Sequence, residues 1–139
     1  MIILDSNVVS ALMRLDREPK VAAWLNRQQP TDLFVTTVTV FEVRFGLELM
    51  PHGQGKARNE ARFSDVLSLL VPGRILSLDQ PGAESAAAVH RKRGKHKANL
   101  GAPDSLIAGI ALHLGATVAT RNTKDFKALN VPLIDPWTA

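Results

Sequence analysis

The sequence contains no cysteine and no tyrosine, and these absences exclude several kinds of site. Without cysteine the chain can form no disulfide scaffold and no thiolate metal site, and it has no cysteine nucleophile. Aromatic residues make up only 5% of the chain, and most of the five Phe and two Trp are predicted to face the core. The sequence therefore shows no aromatic platform on which nucleic acid bases could stack.

Long apolar runs are also missing. The apolar run at residues 1–4 is interrupted by Asp5, and no other run approaches the ~20 residues that a membrane-spanning helix requires. No basic region precedes the first run, so it does not resemble a signal peptide. We therefore expect a cytoplasmic protein that does not enter a membrane.

What is present favours one folded domain over residues 1–139. Of these residues 45% are hydrophobic and 22% are charged, which is an ordinary globular balance. Short apolar runs alternate with segments of helical periodicity, and none of the runs shows a polar face. This pattern predicts an α/β fold with a central parallel sheet and helices on both faces. The predicted strands cover residues 1–4, 33–35, 74–78, 117–119 and 131–134.

Acidic side chains follow the predicted strands or begin the helices next to them. Asp5 ends the first strand, Glu42 lies early in the helix after the second strand, and Asp104 opens the helix that leads into the fourth. Asn122 and Asp125 follow the fourth strand. Because ligands of open parallel sheets bind beyond the carboxyl ends of the strands, these side chains are candidates for one site.

Each acid also has a structural interpretation. Asp5 could cap a helix, and the segment 39–42 has the spacing of a capping box that ends in Glu42. Asp104 could interact with a helix dipole, and Asp125 could be an ordinary solvated acid. Taken together, however, converging carboxylates repel one another, by ~4 kcal/mol at 4 Å in a medium of dielectric constant 20. Oxygen donors without Cys or His suit Mg²⁺ or Mn²⁺, which activate water and neutralise phosphoryl charge.

The positive charge of the chain is local. The sequence has 17 Lys and Arg against 13 Asp and Glu, and five of these cations lie between residues 90 and 97. Such a run could be a solvated helix end, or it could bind the phosphate backbone of a nucleic acid. The candidate RNA-binding residues are Arg91, Lys92, Arg93, Lys95 and Lys97.

Four separated blocks of the chain resemble a known family. The segment MIILDSNVVS resembles the opening of PIN-domain ribonucleases of the VapC and FitB toxin type, and TTVTVFEVRFGL resembles their second motif. The segment GAPDSLIAGIALHLGATVATRNTKDF resembles their third and fourth motifs, and DPW resembles their ending. The resemblance covers the whole chain in the expected order.

This resemblance implies a PIN-like three-layer fold and Mg²⁺- or Mn²⁺-dependent endoribonuclease activity. It implies that Asp5 and Asp104 bind the metal directly and that Glu42 completes the catalytic pocket. At the fourth acidic position the chain departs from the family, because Asn122 stands where an acid is common and the nearby acid is Asp125. The polar residues expected to support the pocket are Asn7, Thr120 and Asn122.

The resemblance also implies partners. They are an RNA substrate, a cognate antitoxin, a second copy of the toxin in a homodimer, and operator DNA that is bound only through the antitoxin. The resulting hypothesis is the toxin component of a type II toxin–antitoxin system.

Other functions remain open at this stage. One is an inactive PIN-like binding module that acts only in a regulatory complex. Another is a haloacid-dehalogenase-like phosphatase with Asp5 as phospho-acceptor, although such enzymes require an acid where this chain has Asn7. A Ser/His hydrolase is disfavoured because the chain has no G-x-S-x-G motif.

Overall fold

A computed structural model of the protein describes residues 1–93 and 102–139. The strands and helices alternate as the sequence predicts. In chain order they are β1 (Ile2–Leu4), α1 (Ser6–Leu12), α2 (Pro19–Asn26), β2 (Leu33–Thr36), α3 (Thr37–Glu48), α4 (Gln54–Asp65), β3 (Ile75–Leu76), α5 (Gln80–Arg91), α6 (Ala102–Leu114), β4 (Thr117–Ala119), α7 (Thr123–Lys127) and β5 (Leu133–Ile134). A π-helical turn at Val66–Leu70 extends α4, and 3₁₀ turns lie at Leu15–Arg17 and Pro30–Asp32.

The five strands form one sheet in the order β3-β2-β1-β4-β5, and every neighbouring pair is parallel. Strands β2 and β3 lie on one side of β1, in chain order, and β4 and β5 lie on its other side. The strand order therefore reverses between β1 and β4. In open parallel sheets, the carboxyl ends of the strands at such a reversal form the usual ligand-binding crevice.

The hydrophobic core has two parts, one on each face of the sheet. Within β1, Ile3 packs with residues of α5, α6 and α7, while Leu4 packs with residues of α1 to α4. Successive side chains of a strand point to opposite faces, and in β1 both faces are covered by helices. This explains why the strands are apolar throughout, and it confirms the predicted three-layer α/β fold.

The two edge strands are shorter than the sequence predicts. The strand expected over residues 74–78 is reduced to Ile75–Leu76, and the one expected over 131–134 is reduced to Leu133–Ile134. An edge strand has a ladder partner on one side only, so fewer of its residues are held in regular pairing.

The capping box predicted at residues 39–42 is wrong. Helix α3 begins three residues earlier than that box requires, and its cap is Thr36, whose Oγ1 accepts a hydrogen bond from the Thr39 backbone N–H at 3.2 Å. Glu42 therefore lies inside the helix and has no capping role.

Single residues also define the start of α5 and the end of α6. Asp79 caps α5 by accepting a hydrogen bond from the Gly82 N–H at 2.9 Å. Gly115 follows α6 with φ +65°, a left-handed conformation that glycine adopts without strain. Residues 94–101, which include the end of the basic run, lie outside the described residues. Among the described helices, none is long and apolar enough to cross a bilayer.

Two phenylalanines depart from the predicted core positions. Phe41 and Phe45 are 67% and 55% exposed on α3, although Phe63 and Phe126 are fully buried. The two exposed rings stack on each other, with centroids 6.1 Å apart.

The close packing of α5 on α6 depends on Gly109. A Cβ added at this position would overlap the backbone of Ala86, whereas a Cβ at Gly46 of α3 would meet no atom within 4 Å. We expect Gly109→Ala to lower the free energy of unfolding by ~1–3 kcal/mol because α6 must move away from α5. Gly46→Ala should raise it by ~0.5–1 kcal/mol through helix propensity. Urea unfolding of both variants measures the difference, and equal effects would contradict this packing.

Candidate active site

Asp5 occupies the carboxyl end of β1, where it is only 1% exposed. Its Oδ1 accepts a hydrogen bond from the Ser6 backbone N–H at 2.8 Å, so the predicted helix cap is confirmed. Its Oδ2 accepts bonds from the Thr120 hydroxyl at 2.8 Å and from the Asn7 side-chain amide at 3.2 Å. Burial raises the pKa of Asp5, and the hydrogen bonds from Thr120 and Ser6 oppose that rise.

Thr120 connects the ends of β1 and β4. This residue follows β4 directly and is fully buried. Its hydroxyl donates a hydrogen bond to Asp5. The same oxygen accepts hydrogen bonds from the Asn122 backbone N–H at 3.0 Å and from the Asn7 side-chain amide at 3.2 Å. The Asn7 oxygen accepts the Arg121 N–H at 3.1 Å. A continuous hydrogen-bond network therefore fixes the carboxylate at the point where the strand order reverses.

Glu42 faces the same edge of the sheet from α3. Its Oε1 is buried and has no hydrogen-bond partner among the described residues. Burial, followed by the negative charges of Asp5 and Asp104, raises the pKa of Glu42 to about 7, and a hydrogen bond from the Ser6 side chain opposes the rise. The structure therefore brings Glu42 into electrostatic contact with two other acids that are distant in the sequence.

Asp104 lies in the first turn of α6. Burial and the charge of Asp5 raise its pKa to about 6, the positive charge of Arg93 lowers it, and the charge of Asp125 raises it. Asp5, Glu42 and Asp104 thus influence one another as a group, and Asp125 approaches that group from the side of α7.

Three of the five candidate RNA-binding residues lie in the described part of the chain, at the end of α5. Arg91 ends α5 and Lys92 follows it, both exposed to solvent. Arg93 donates to the Ser105 Oγ at 3.4 Å, next to Asp104. Lys95 and Lys97 lie outside the described residues.

The donor set fits a hard divalent cation. In residues 1–93 and 102–139, no three His, Asp or Glu side chains stand close enough together to form a ready-made site. Mg²⁺, however, needs only one or two protein carboxylates, because it retains several of its waters. Asp5 and Asp104 could supply these ligands, and the unpartnered Oε1 of Glu42 could accept a hydrogen bond from a water.

Two residues of this site are not among those predicted from the sequence. The first is Ser6, whose side chain hydrogen-bonds Glu42. Ser105 is 1% exposed, and its Oγ lies 2.8 Å from Nδ1 of His90 as well as near Arg93. The adjacency of Ser6 to Asp5 could have pointed to the first, but nothing in the sequence relates Ser105 to His90.

A cleft of about 390 Å³ opens beside the acids, between α1, α3 and α4. Ser6, Asn7 and Glu42 form the wall that it shares with the acidic group. Of the three acids, Glu42 is the one that lines this cleft.

The comparison with known proteins decides the family. The sequence profile of the PIN domain matches residues 2–131. The chain belongs to the PIN domain family. This membership confirms the resemblance found in the sequence. The phosphatase hypothesis requires a different family, that of the haloacid-dehalogenase-like enzymes.

Curated relatives match this PIN-domain chain over nearly its full length. It is 34% identical to a protein named VapC ribonuclease Y4jK from Sinorhizobium fredii. This alignment of 137 residues covers 99% of this chain and 98% of the relative. It is 35% identical over 137 residues to a protein named Toxin FitB from Neisseria gonorrhoeae, with 99% of each covered.

Solved structures agree with this assignment. A structure of FitAB bound to an IR36 DNA fragment superposes with a TM-score of 0.84 at 35% identity, covering 99% of this chain and 96% of that one. FitAcB from Neisseria gonorrhoeae gives a TM-score of 0.82 at 32% identity over the whole of both chains. The protein is thus a PIN-domain protein of the VapC and FitB type.

The raised pKa of Glu42 makes the stability of the metal-free protein depend on pH. The folded state keeps a proton on Glu42 up to about pH 7, while the unfolded state releases it near the ordinary value of 4.5. Stability should therefore fall as pH rises through this window. In EDTA, Glu42→Gln should raise the Tm at pH 8 and change it little at pH 4.

The control for this prediction is Glu48→Gln, which removes an exposed acid from the same helix. Thermal unfolding from pH 4 to pH 8 distinguishes the two variants. If both variants follow the same pH profile, Glu42 is not held in a site that opposes its charge.

The hydroxyl of Thr120 is expected to stabilise the fold as well as the site. Thr120→Val removes the donor to Asp5 and leaves a buried carboxylate under-satisfied, so the free energy of unfolding should fall by ~1.5–3 kcal/mol. Thr120→Ser keeps the hydroxyl and should retain most of that energy. Denaturant unfolding measures both, and a serine variant as unstable as the valine variant would argue for methyl packing instead.

Proposed function

We propose that this protein is the toxin of a toxin–antitoxin system and that it hydrolyses RNA as a Mg²⁺- or Mn²⁺-dependent endoribonuclease. The observation that carries the proposal is the electrostatic interaction of Asp5, Glu42 and Asp104 near the reversal of the strand order. Burial raises the pKa of all three, and the charge of Asp5 raises the pKa values of Glu42 and Asp104 further. The names of its relatives, VapC ribonuclease and Toxin FitB, support the same activity and role.

In this proposal Asp5 and Asp104 hold the metal ion. When bound, a divalent cation lowers the pKa of water and neutralises charge on a phosphoryl oxygen. The hydrogen bonds from Thr120, Asn7 and Ser6 fix both oxygens of Asp5, so this ligand is oriented before the ion arrives. Preorganised ligands of this kind need no rearrangement during the reaction.

Glu42 is proposed to position the attacking water. Its unpartnered Oε1 can accept a hydrogen bond from that water, and the Ser6 side chain orients the carboxylate. A nearby cation would lower the pKa of Glu42, so that the carboxylate is ionised and able to accept a proton at neutral pH. Asp125, whose charge reaches Asp104, is proposed for the fourth acidic position, while Asn122 supports the pocket through its backbone bond to Thr120.

The substrate would approach along the basic residues near the site. Arg91 and Lys92 are exposed at the end of α5, and Arg93 lies beside Asp104. Contacts from such cations to the phosphate backbone would bind RNA without reading its sequence. Lys95 and Lys97, which lie outside the described residues, are proposed to extend the same surface.

The proposal includes partners. A cognate antitoxin is supported by the FitAB complex on DNA among the similar structures, and operator DNA would be bound only through that antitoxin. A homodimer is proposed because Phe41 and Phe45 of α3, with Leu49 directly after the helix, form an exposed apolar stripe at four-residue spacing. We further propose that residues 1–139 act as one PIN domain in the cytoplasm.

A second candidate function is an inactive PIN-like module that acts only in a regulatory complex. Two observations favour it. Asn122 is neutral where an acid is common in the family, and the charge of Arg93 already compensates Asp104 in part. Such a module would gain little thermal stability from Mn²⁺.

The activity is tested with total RNA and the purified protein. We expect cleavage with Mg²⁺ or Mn²⁺, loss of cleavage in EDTA, and a decrease of about 100-fold or more in Asp5→Asn and Asp104→Asn, because each removes a charged metal ligand. The control is Asp16→Asn, which removes an exposed acid from the 3₁₀ turn after α1. Undiminished cleavage in both site variants would rule out this assignment. Absence of cleavage together with absence of Mn²⁺ stabilisation would favour the inactive module.

A further inference from the structure

The cleft of about 390 Å³ beside the acidic group extends well beyond the residues that the proposed hydrolysis uses. Its inner wall is formed by Ser6, Asn7 and Glu42, while Ser10, Arg14 and Asn59 line the rest of its polar surface. The remaining lining is apolar and comes from Met13, Val43 and Leu47, together with Gly46. A cleft of this size, with a few polar groups over an apolar floor, is typical of a site for a small organic group.

The polar residues of the α1 wall follow a regular spacing. Ser6 and Ser10 are four residues apart on α1, so they lie on one side of the helix, ~6 Å apart along its axis. Arg14 follows two residues after α1 ends, where the backbone is no longer helical, and it lines the same cleft. The wall therefore leads from the acidic group, where the scissile phosphate would lie, to a cation at the outer end.

Arg14 is available for an anion. Its side chain is 54% exposed, and its ion pair with Glu18 has an N–O distance of 3.4 Å. Only the Arg14 end of the pair is well exposed, since the Glu18 side chain is 17% exposed, but the N–O distance is long for an ion pair and a phosphate could replace Glu18 at the guanidinium. Glu18 would keep a partner, because its Oε2 also accepts the Trp137 indole N–H at 3.0 Å.

Asn59 faces the cleft from α4 with an amide that is weakly engaged. Its Nδ2 donates to the Met50 sulfur at 3.5 Å, and a thioether is a poor acceptor. A stronger polar partner could replace this contact. An amide both donates and accepts, which suits it to contact the edge of a nucleobase.

We propose that this cleft binds the nucleotide next to the scissile phosphate, with Asn59 contacting its base and Arg14 contacting its outer phosphate. The inference rests on the proposed ribonuclease function and adds a subsite that reads or selects the base. It gives the protein a place for base recognition that does not require an aromatic platform.

A peptide is the other class of occupant, and its chemistry fits a different surface better. A second groove, of about 320 Å³, is lined mainly by leucines and by Val66, with Arg62 and Asp65 as its charged residues. An amphipathic protein segment buries apolar side chains, which that groove accommodates. The cleft beside the acids offers hydroxyl, amide and guanidinium groups, which favour a nucleotide.

The test measures the binding of a pool of short 2′-O-methyl RNA oligonucleotides, which resist cleavage, to the full chain by fluorescence anisotropy. We expect Arg14→Gln to raise the Kd by about 3- to 10-fold through loss of a charge-assisted bond. It should also reduce the slope of log Kd against log salt by about 0.7, which corresponds to one phosphate contact on a single strand. Arg14→Lys should restore most of that slope.

Asn59→Ala should leave the salt slope unchanged and alter the base preference at one position of the oligonucleotide. Sequencing the ends of total-RNA fragments that each variant produces with Mn²⁺ measures the same preference during cleavage. The charge-matched control is Arg17→Gln, which removes an exposed cation near Arg14 that does not line the cleft. The Tm of each variant verifies that it is folded.

Failure of the inference and failure of the proposed function are distinguishable. If the native protein cleaves RNA but Arg14→Gln and Asn59→Ala behave like Arg17→Gln, the cleft is not a nucleotide subsite and the ribonuclease function stands. If both variants bind RNA normally but weaken binding of the antitoxin, the occupant is a peptide and the inference is wrong. If the native protein neither binds nor cleaves RNA, the proposed function fails first.

Discussion

The structure depends on keeping one carboxylate, that of Asp5, buried between the ends of two neighbouring strands. Removing a charge from water is unfavourable unless hydrogen bonds replace the lost hydration. Three donors do so here, from Ser6, Asn7 and Thr120. Because Thr120 follows β4 and Asp5 follows β1, satisfying this carboxylate also fixes the register of the two strands at their carboxyl ends. Stability and the position of the site thus depend on the same bonds.

This arrangement has an energetic consequence for the neighbouring acids. Burial and the charge of Asp5 raise the pKa values of Glu42 and Asp104. In the absence of a cation, the ionised site therefore opposes folding at neutral pH. A divalent cation at the site would attract each carboxylate. It would therefore lower the pKa values of these acids and favour the ionised, folded site. Raised pKa values that arise from burial together with the charge of a neighbouring acid are typical of functional sites.

The convergence of Asp5, Glu42 and Asp104 could be predicted because it follows from topology. The carboxyl ends of parallel strands share one edge, and a helix that leads into a strand begins near that edge. The cap of α3 could not be predicted, because Thr36, Thr37 and Thr39 are all suitable N-cap residues. Thr36 is the cap because β2 ends at this residue, and the sequence does not show where the strand ends. The exposure of Phe41 and Phe45 depends on how α3 lies on the sheet, which local periodicity does not determine.

The fourth position of the acidic group shows how sequence and geometry combine. The backbone N–H of Asn122 donates to Thr120, so the chain after β4 is fixed by the same network that holds Asp5. A neutral side chain at this point adds no further repulsion to a group that is already strained by three buried or half-buried acids. Asp125 reaches Asp104 electrostatically from one turn further along α7. With a neutral side chain at position 122, the proposed metal site has less negative charge near Asp5 to offset the repulsion that two divalent ions would exert on each other.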